Sequence, residues 1–213
     1  MRIRFWNMFV KLTGWPAQLL CFRTKVYYED RGVQSRRIKG PAILLSNHTS
    51  VYDYAVYLFV FFGRTLRFQM AEVLFERKLL GGLLRRLGGI YVNRNAFDFG
   101  FVAKSEEILR QGGVVGIFPE SRLPRKGEER PLPFRPSAAF LALASGVPVI
   151  PVYTDGSYFR LKRARVIIGK PITADALPDG ARNDRETIAA VSQLFRERII
   201  ELERIYHENC ARE

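Results

Sequence analysis

Only two histidines occur in this 213-residue chain, and one of them stands five residues before a carboxylate, in His48-Thr-Ser-Val-Tyr-Asp53. An imidazole with such a partner can take a proton from a hydroxyl, because the carboxylate fixes its tautomer and stabilises its protonated form. On one continuous helix the two side chains would point about 140° apart, at roughly 100° per residue. They meet if the helix starts near Ser50, with His48 in the turn before it and Asp53 in the first helical turn, where free N–H groups and the helix dipole favour a carboxylate. Ser50-x-x-Asp53 also reads as a capping box, in which both side chains serve the helix start alone.

The elements that position this pair are apolar runs. Pro41-Ala-Ile-Leu-Leu-Ser-Asn47 leads straight into His48, and Gly112-Gly-Val-Val-Gly-Ile-Phe118 reads as a buried strand cut off by Pro119-Glu120-Ser121-Arg122. A third run, Gly88-Gly-Ile-Tyr-Val92, delivers Asn93-Arg94. In open α/β sheets ligands bind outside the carboxyl ends of strands, so His48, Asp53, Glu120 and Arg122 are expected to converge on one crevice.

Four blocks occur in order: Asn47 to Asp53, Gly88 to Arg94, Phe118-Pro-Glu-Ser121 and Val147-Pro-Val-Ile-Pro-Val-Tyr153. Together they resemble the glycerolipid acyltransferases, typified by bacterial 1-acylglycerol-3-phosphate acyltransferase. The resemblance runs from about Pro41 to Tyr153. It implies transfer of a fatty acyl group from an acyl thioester, on coenzyme A or acyl carrier protein, to the free hydroxyl of a lysophospholipid. With 1-acylglycerol-3-phosphate as acceptor the product is phosphatidic acid. His48 would then be the general base and Asp53 its orienting acid, with Asn47, Glu120, Ser121, Arg94 and Arg122 on the substrate side. Glu120 is assigned acceptor hydroxyls, and the two arginines phosphate, for which a planar guanidinium is suited. Backbone N–H groups after Phe118 or at Asn47 are the expected oxyanion donors. The chain departs from the family pattern at Ser121, where relatives usually carry glycine, with Arg122 following at once, and at Phe134-Arg135-Pro136-Ser137. Two alternatives stay open: an acyltransferase for another acceptor, such as a lyso-aminolipid, and a catalytically silent membrane-binding protein on this scaffold.

Cys21 and Cys210 lie near the two ends, away from both motif residues, so neither a covalent thiol mechanism nor a disulfide framework is expected. No Cys/His cluster has metal-ligand spacing, and no cofactor beyond the thioester co-substrate is expected.

The 34 Lys+Arg outnumber the 21 Asp+Glu, a net +13. Such a balance fits nucleic acid, but no zinc-ligand spacing, RNP-like strand or basic helix repeat is present, so no nucleic-acid partner is expected. A membrane surface rich in anionic lipid accounts for it better: residues 1–40 carry nine Lys/Arg against two Asp/Glu, a net +7. There Phe5, Met8, Phe9, Leu12 and Leu19 fall near one helical face and Arg4, Asn7 and Lys11 on another, with Pro16 expected to bend the helix. The longest uncharged run, Leu12 to Phe22, is too short to span the roughly 20 residues of a bilayer. A charged residue interrupts the apolar stretch and no small-x-small cleavage site follows, so a peripheral or monotopic position on the cytoplasmic face is expected.

The expected architecture is α/β, one domain with a mixed, mostly parallel sheet flanked by helices, preceded by an N-terminal amphipathic helical membrane-contact segment. The boundaries are 1–24 for that segment and 25–213 for the catalytic domain. Helix over 3–22 is expected to precede strands near 25–30 and 42–46, a helix from 51, a strand near 66–70 and a helix at 79–87. Strand 89–92, helix 96–111, strand 114–118, a long loop at 119–133, helix 136–145, and strands 148–153 and 164–168 follow. Ile188, Val191, Phe195, Ile199 and Leu202 form one stripe of a C-terminal helix from Asp184 to Tyr206, and His207 near its end is assigned a contact with the helix terminus.

Overall fold

The computed structural model describes residues 2–93, 100–159, 163–178 and 184–211. Its centre is a seven-stranded sheet in the order β1-β7-β6-β2-β5-β3-β4, built from Lys25–Tyr28 (β1), Ala42–Ser46 (β2), Leu66–Ala71 (β3), Ile90–Val92 (β4), Val114–Ile117 (β5), Val149–Thr154 (β6) and Arg165–Ile168 (β7). Every neighbouring pair is parallel except β6 with β7. The carboxyl ends of β6, β2 and β5 therefore lie side by side in the middle of the sheet.

Those strands read as unbroken apolar runs because helices cover both faces. Side chains alternate between the two layers: Leu44 joins Tyr57, Phe61 and Phe68 on one face, while Ile43 and Leu45 join Ile108, Leu141 and Phe195 on the other. Asp53–Val60 (α3) covers the first face. Gly100–Arg110 (α6), Ser137–Ser145 (α7) and Arg185–Ala211 (α8) cover the second. The C-terminal helix runs five residues farther than its stripe suggested, and places Val191, Phe195, Ile199 and Leu202 wholly inside the core.

Two expectations are corrected in detail. The N-terminal helix is two helices, Arg2–Thr13 (α1) and Trp15–Cys21 (α2), and the break falls at Gly14, with Pro16 in the opening turn of α2 where a missing N–H does no harm. A Cβ on Gly14 would stand 3.0 Å from the Phe59 ring, so this corner is packed tightly. Before Lys78–Leu87 (α5), a short helix Glu72–Glu76 (α4) occupies residues that were not assigned, because five residues carry too little periodicity to read.

The segment α1 is turned the opposite way from α8. Asn7 and Lys11 point into the protein, while Phe5 and Leu12 remain more than 60% exposed. Asn7 Nδ2 donates to the carbonyl of Leu87 at the end of α5 (2.9 Å), and Lys11 Nζ donates to those of Phe62 (2.9 Å) and Arg64 (2.6 Å) just beyond α3. The Leu87 carbonyl is a last-turn carbonyl without an intrahelical partner, and those of Phe62 and Arg64 belong to the turn that follows α3. Polar groups thus dock the helix, and its apolar face is left outward.

Candidate active site

The turn after β2 carries His48, and α3 begins five residues later with Asp53 at its first position. His48 Nδ1 lies 2.8 Å from Asp53 Oδ2. The same oxygen accepts the backbone N–H groups of Thr49 (2.8 Å) and Ser50 (3.0 Å). The capping box is not formed: Tyr52 stands at the N-cap without a side-chain cap, and the Asp53 amide donates to the Ser50 carbonyl rather than to its hydroxyl. The amides of the turn instead hold the carboxylate rigid, and the rigid carboxylate holds the ring. With Nδ1 engaged, Nε2 is the remaining basic nitrogen of a residue that lines a cavity. The ring stacks on Phe118 from the end of β5, with centroids 4.3 Å apart.

Asp53 is fully buried, and its second oxygen is satisfied by groups that sequence reasoning missed. Oδ1 accepts the hydroxyl of Thr49 (3.0 Å) and that of Tyr158 (2.6 Å). Tyr158, in the loop after β6, also meets Thr154 Oγ1 at 3.1 Å. Burial and the neighbouring Asp53 charge raise its phenol far above the ordinary tyrosine value, so it remains a donor. Nothing near Tyr158 in the sequence signals this, since its partner is 105 residues away.

Glu120 is buried, with its two oxygens accepting the amide of His48 (2.7 Å) and of Leu132 (2.9 Å). Burial raises its pKa and those two amides oppose the rise. Glu120 thus clamps the histidine turn to the long loop after β5. Asn47 makes a tie of the same kind. Its Nδ2 donates to the carbonyl of Thr154 (2.8 Å) and its Oδ1 accepts the Thr154 amide (2.9 Å), which extends the β2–β6 pairing by one side chain and uses both ends of the amide. Of the backbone donors expected for an oxyanion, the His48 amide is taken by Glu120 and that of Ser121 by the Phe118 carbonyl at 3.0 Å.

Ser121 sits at φ 60°, the left-handed region. A side chain there is strained, which accounts for glycine in the corresponding block of the resemblance. Arg122 follows at the cavity rim, exposed, and grips Glu128 with two hydrogen bonds of 2.7 and 2.9 Å. Glu128 is drawn down to about 2, chiefly by that hydrogen bond. Arg94 lies outside the described residues, and its neighbour Asn93 lines the cavity. His207 is exposed on α8, four residues after Glu203 and 3.9 Å from its carboxylate, and does not line the cavity.

The cavity holds about 960 Å³ and runs from His48, Ser121 and Arg122 between α3, α5 and the long loop. Leu58, Met70, Leu74, Leu83 and Phe101 make its walls apolar. A polar mouth with one basic nitrogen and a long greasy interior suits a molecule with a reactive head and a hydrocarbon tail.

Residues 25–155 match the sequence profile of the acyltransferase family. This chain belongs to that family. Among its relatives is a human 1-acyl-sn-glycerol-3-phosphate acyltransferase beta, 25% identical over 173 residues, which cover 79% of this chain and 61% of that protein. The chloroplastic 1-acyl-sn-glycerol-3-phosphate acyltransferase BAT2 of Brassica napus is 28% identical over 158 residues, 67% of this chain and 45% of its own length. A 1-acyl-sn-glycerol-3-phosphate acyltransferase of Bacillus subtilis (strain 168) is 27% identical over 146 residues, 65% and 69% of the two chains. The chain thus spans about half to three fifths of the first two relatives. The crystal structure of the 1-acyl-sn-glycerophosphate (LPA) acyltransferase PlsC from Thermotoga maritima superposes with a TM-score of 0.67 at 21% identity, covering 94% of this chain and 81% of that one, which establishes a shared fold.

Proposed function

We propose that this acyltransferase moves a fatty acyl group from an acyl thioester to the free hydroxyl of 1-acylglycerol-3-phosphate, giving phosphatidic acid. The 2.8 Å contact of His48 Nδ1 with a buried, fully hydrogen-bonded Asp53, on the wall of an apolar cavity, is the observation that carries this reading. Nε2 accepts the acceptor's hydroxyl proton as its oxygen attacks the thioester carbonyl carbon. The tetrahedral oxyanion then collapses, the C–S bond breaks, and the imidazolium returns the proton to the departing thiolate. Base assistance of this kind is worth roughly 10² to 10⁴ in rate. The Asp53 charge offsets the imidazolium, and the cavity takes acyl hydrocarbon. Arg122, which lines the cavity, is the cation assigned to the acceptor's phosphate, and it exchanges Glu128 for phosphate oxygens on binding.

The outward apolar face of α1 and α2 supports a reading in which the protein lies on a lipid surface, with its positive charge drawn to anionic headgroups. No helix among the described residues is long and apolar enough to cross a membrane, which fits a peripheral attachment, assigned here to the cytoplasmic face. Residues 1–24 are the contact segment and 25–213 the catalytic domain.

Purified protein given a panel of lysolipids, with coenzyme A or acyl carrier protein thioesters, tests the assignment by mass analysis of the product. The expected product is phosphatidic acid from 1-acylglycerol-3-phosphate. An acylated lyso-aminolipid instead would move the acceptor, and no acylated product with any pair would reduce the chain to a silent scaffold.

A further inference from the structure

A second cavity, of about 830 Å³, lies at the edge formed by the amino-terminal ends of the strands, where α1 meets the loops that lead into β3 and β5. Arg2, Arg4, Lys11, Arg64 and Arg67 line it, and no Asp or Glu does. Among the described residues, none of these five forms an ion pair with a carboxylate. Lys11 donates only to backbone carbonyls, Arg64 Nη2 to those of Gly40 (2.6 Å) and Gly112 (2.9 Å), and Arg67 Nε to that of Gly88 (3.0 Å). Burial, and after it the Arg4 charge, pulls the Arg64 guanidinium below its ordinary value, as expected of cations gathered without an anion. Asn7 also lines this cavity, and its buried Oδ1 has no hydrogen-bond partner among the described residues. That oxygen can accept a hydrogen bond from a hydroxyl, such as one on a headgroup. Strand lengths separate this edge from His48 by roughly 15 Å.

We infer that this basic cavity binds the phosphate of an anionic phospholipid headgroup, separately from the catalytic centre. Paired guanidinium groups around a partly enclosed space are the chemistry that recognises phosphate oxygens. A lipid rather than a free anion is favoured by position: Met8 both lines the cavity and is exposed, and the neighbouring Phe5 and Leu12 form the outward apolar face of α1. A headgroup seated here would hold α1 against the bilayer with its apolar side chains among the acyl tails. The inference rests on the membrane attachment proposed above and adds the group that anchors it.

The test uses the full chain, with flotation on vesicles of phosphatidylcholine alone and with phosphatidylglycerol added. Arg4→Gln/Arg64→Gln is compared with wild type and with Lys39→Gln/Arg204→Gln, which removes the same charge from exposed sites elsewhere. Melting temperatures check folding, and Arg4→Gln alone, at an exposed position, covers the case in which the double variant does not fold. The cavity variant is expected to lose roughly ten- to thirtyfold in partitioning to the anionic vesicles, while the control loses far less. Binding to phosphatidylcholine and acyl transfer in detergent should be unchanged. In a second arm, inorganic phosphate is titrated while the side-chain N–H signals of Arg64 and Arg67 are followed by NMR, and these are expected to move. Equal losses in the cavity and control variants would overturn the site while leaving membrane attachment intact. Phosphate-induced shifts with no preference for anionic vesicles would overturn the lipid source, and no vesicle binding by wild type would remove the attachment itself.

Discussion

The two ends of α3 are both tied down by charge, and the two ties do different work. At its start Asp53 accepts the amides of Thr49 and Ser50, and past its end Lys11 donates to the carbonyls of Phe61, Phe62 and Arg64. Each sign is the one the helix dipole favours. In the first tie the oxygen that accepts the amides also reaches a histidine on a cavity, so the tie becomes part of a proton-transfer device. The second leaves nothing over, and serves to dock an amphipathic helix with its apolar side outward. Eight residues of helix thus join a chemical site to a surface device.

The contrast is sharpest at the first end. Asp53→Asn should lower acyl transfer by about 10³ to 10⁴, because an amide Nδ2 opposite His48 Nδ1 forces the wrong tautomer and puts the proton on Nε2. A rate within tenfold of wild type would mean that the carboxylate only braces the turn before the helix. Lys11→Met should leave transfer from a dispersed substrate in place and change stability instead. Burial lowers the Lys11 pKa from 10.5 to about 8, so between those values the unfolded chain binds the extra proton and stability rises with pH. The gain, measured as the difference in urea unfolding free energy between wild type and Lys11→Met, is at most about 3 kcal/mol, since the carbonyls favour the charged form. A difference with no pH dependence from 8 to 10.5 would contradict the buried cation.

Smaller effects refine the first end. Tyr158→Phe removes one donor from Asp53 Oδ1 and should cost about 1 to 3 kcal/mol in stability and roughly tenfold in kcat, with KM little changed. A shift in KM alone would place Tyr158 on substrate rather than on Asp53. Ser121→Gly should stabilise the fold by up to about 1 kcal/mol by relieving the positive φ, read as a higher urea midpoint.

What could be read from sequence follows the range of each interaction. His48 and Asp53 are five residues apart, and the strands that lead into the site are continuous apolar runs, so the pair and the parallel architecture were legible. Asn47 meets Thr154 across 107 residues and Tyr158 meets Asp53 across 105, and no local pattern reports such contacts. The clamp that Glu120 makes was not legible, because its partners are backbone amides, which every residue type except proline supplies. The helices α1 and α8 make the same point in packing. Both carry an apolar stripe, and the stripe faces the core in α8 and away from it in α1, a choice made by carbonyl partners for Asn7 and Lys11 at the ends of other helices.

The most direct test of the central claim is acyl transfer by purified wild type and His48→Ala, matched for folding by melting temperature. The substrates are 1-acylglycerol-3-phosphate and an acyl thioester, and phosphatidic acid is quantified in a single turnover. The expected result is product from wild type and a loss of at least about 10²-fold in the variant at unchanged stability. Comparable product from His48→Ala would contradict it.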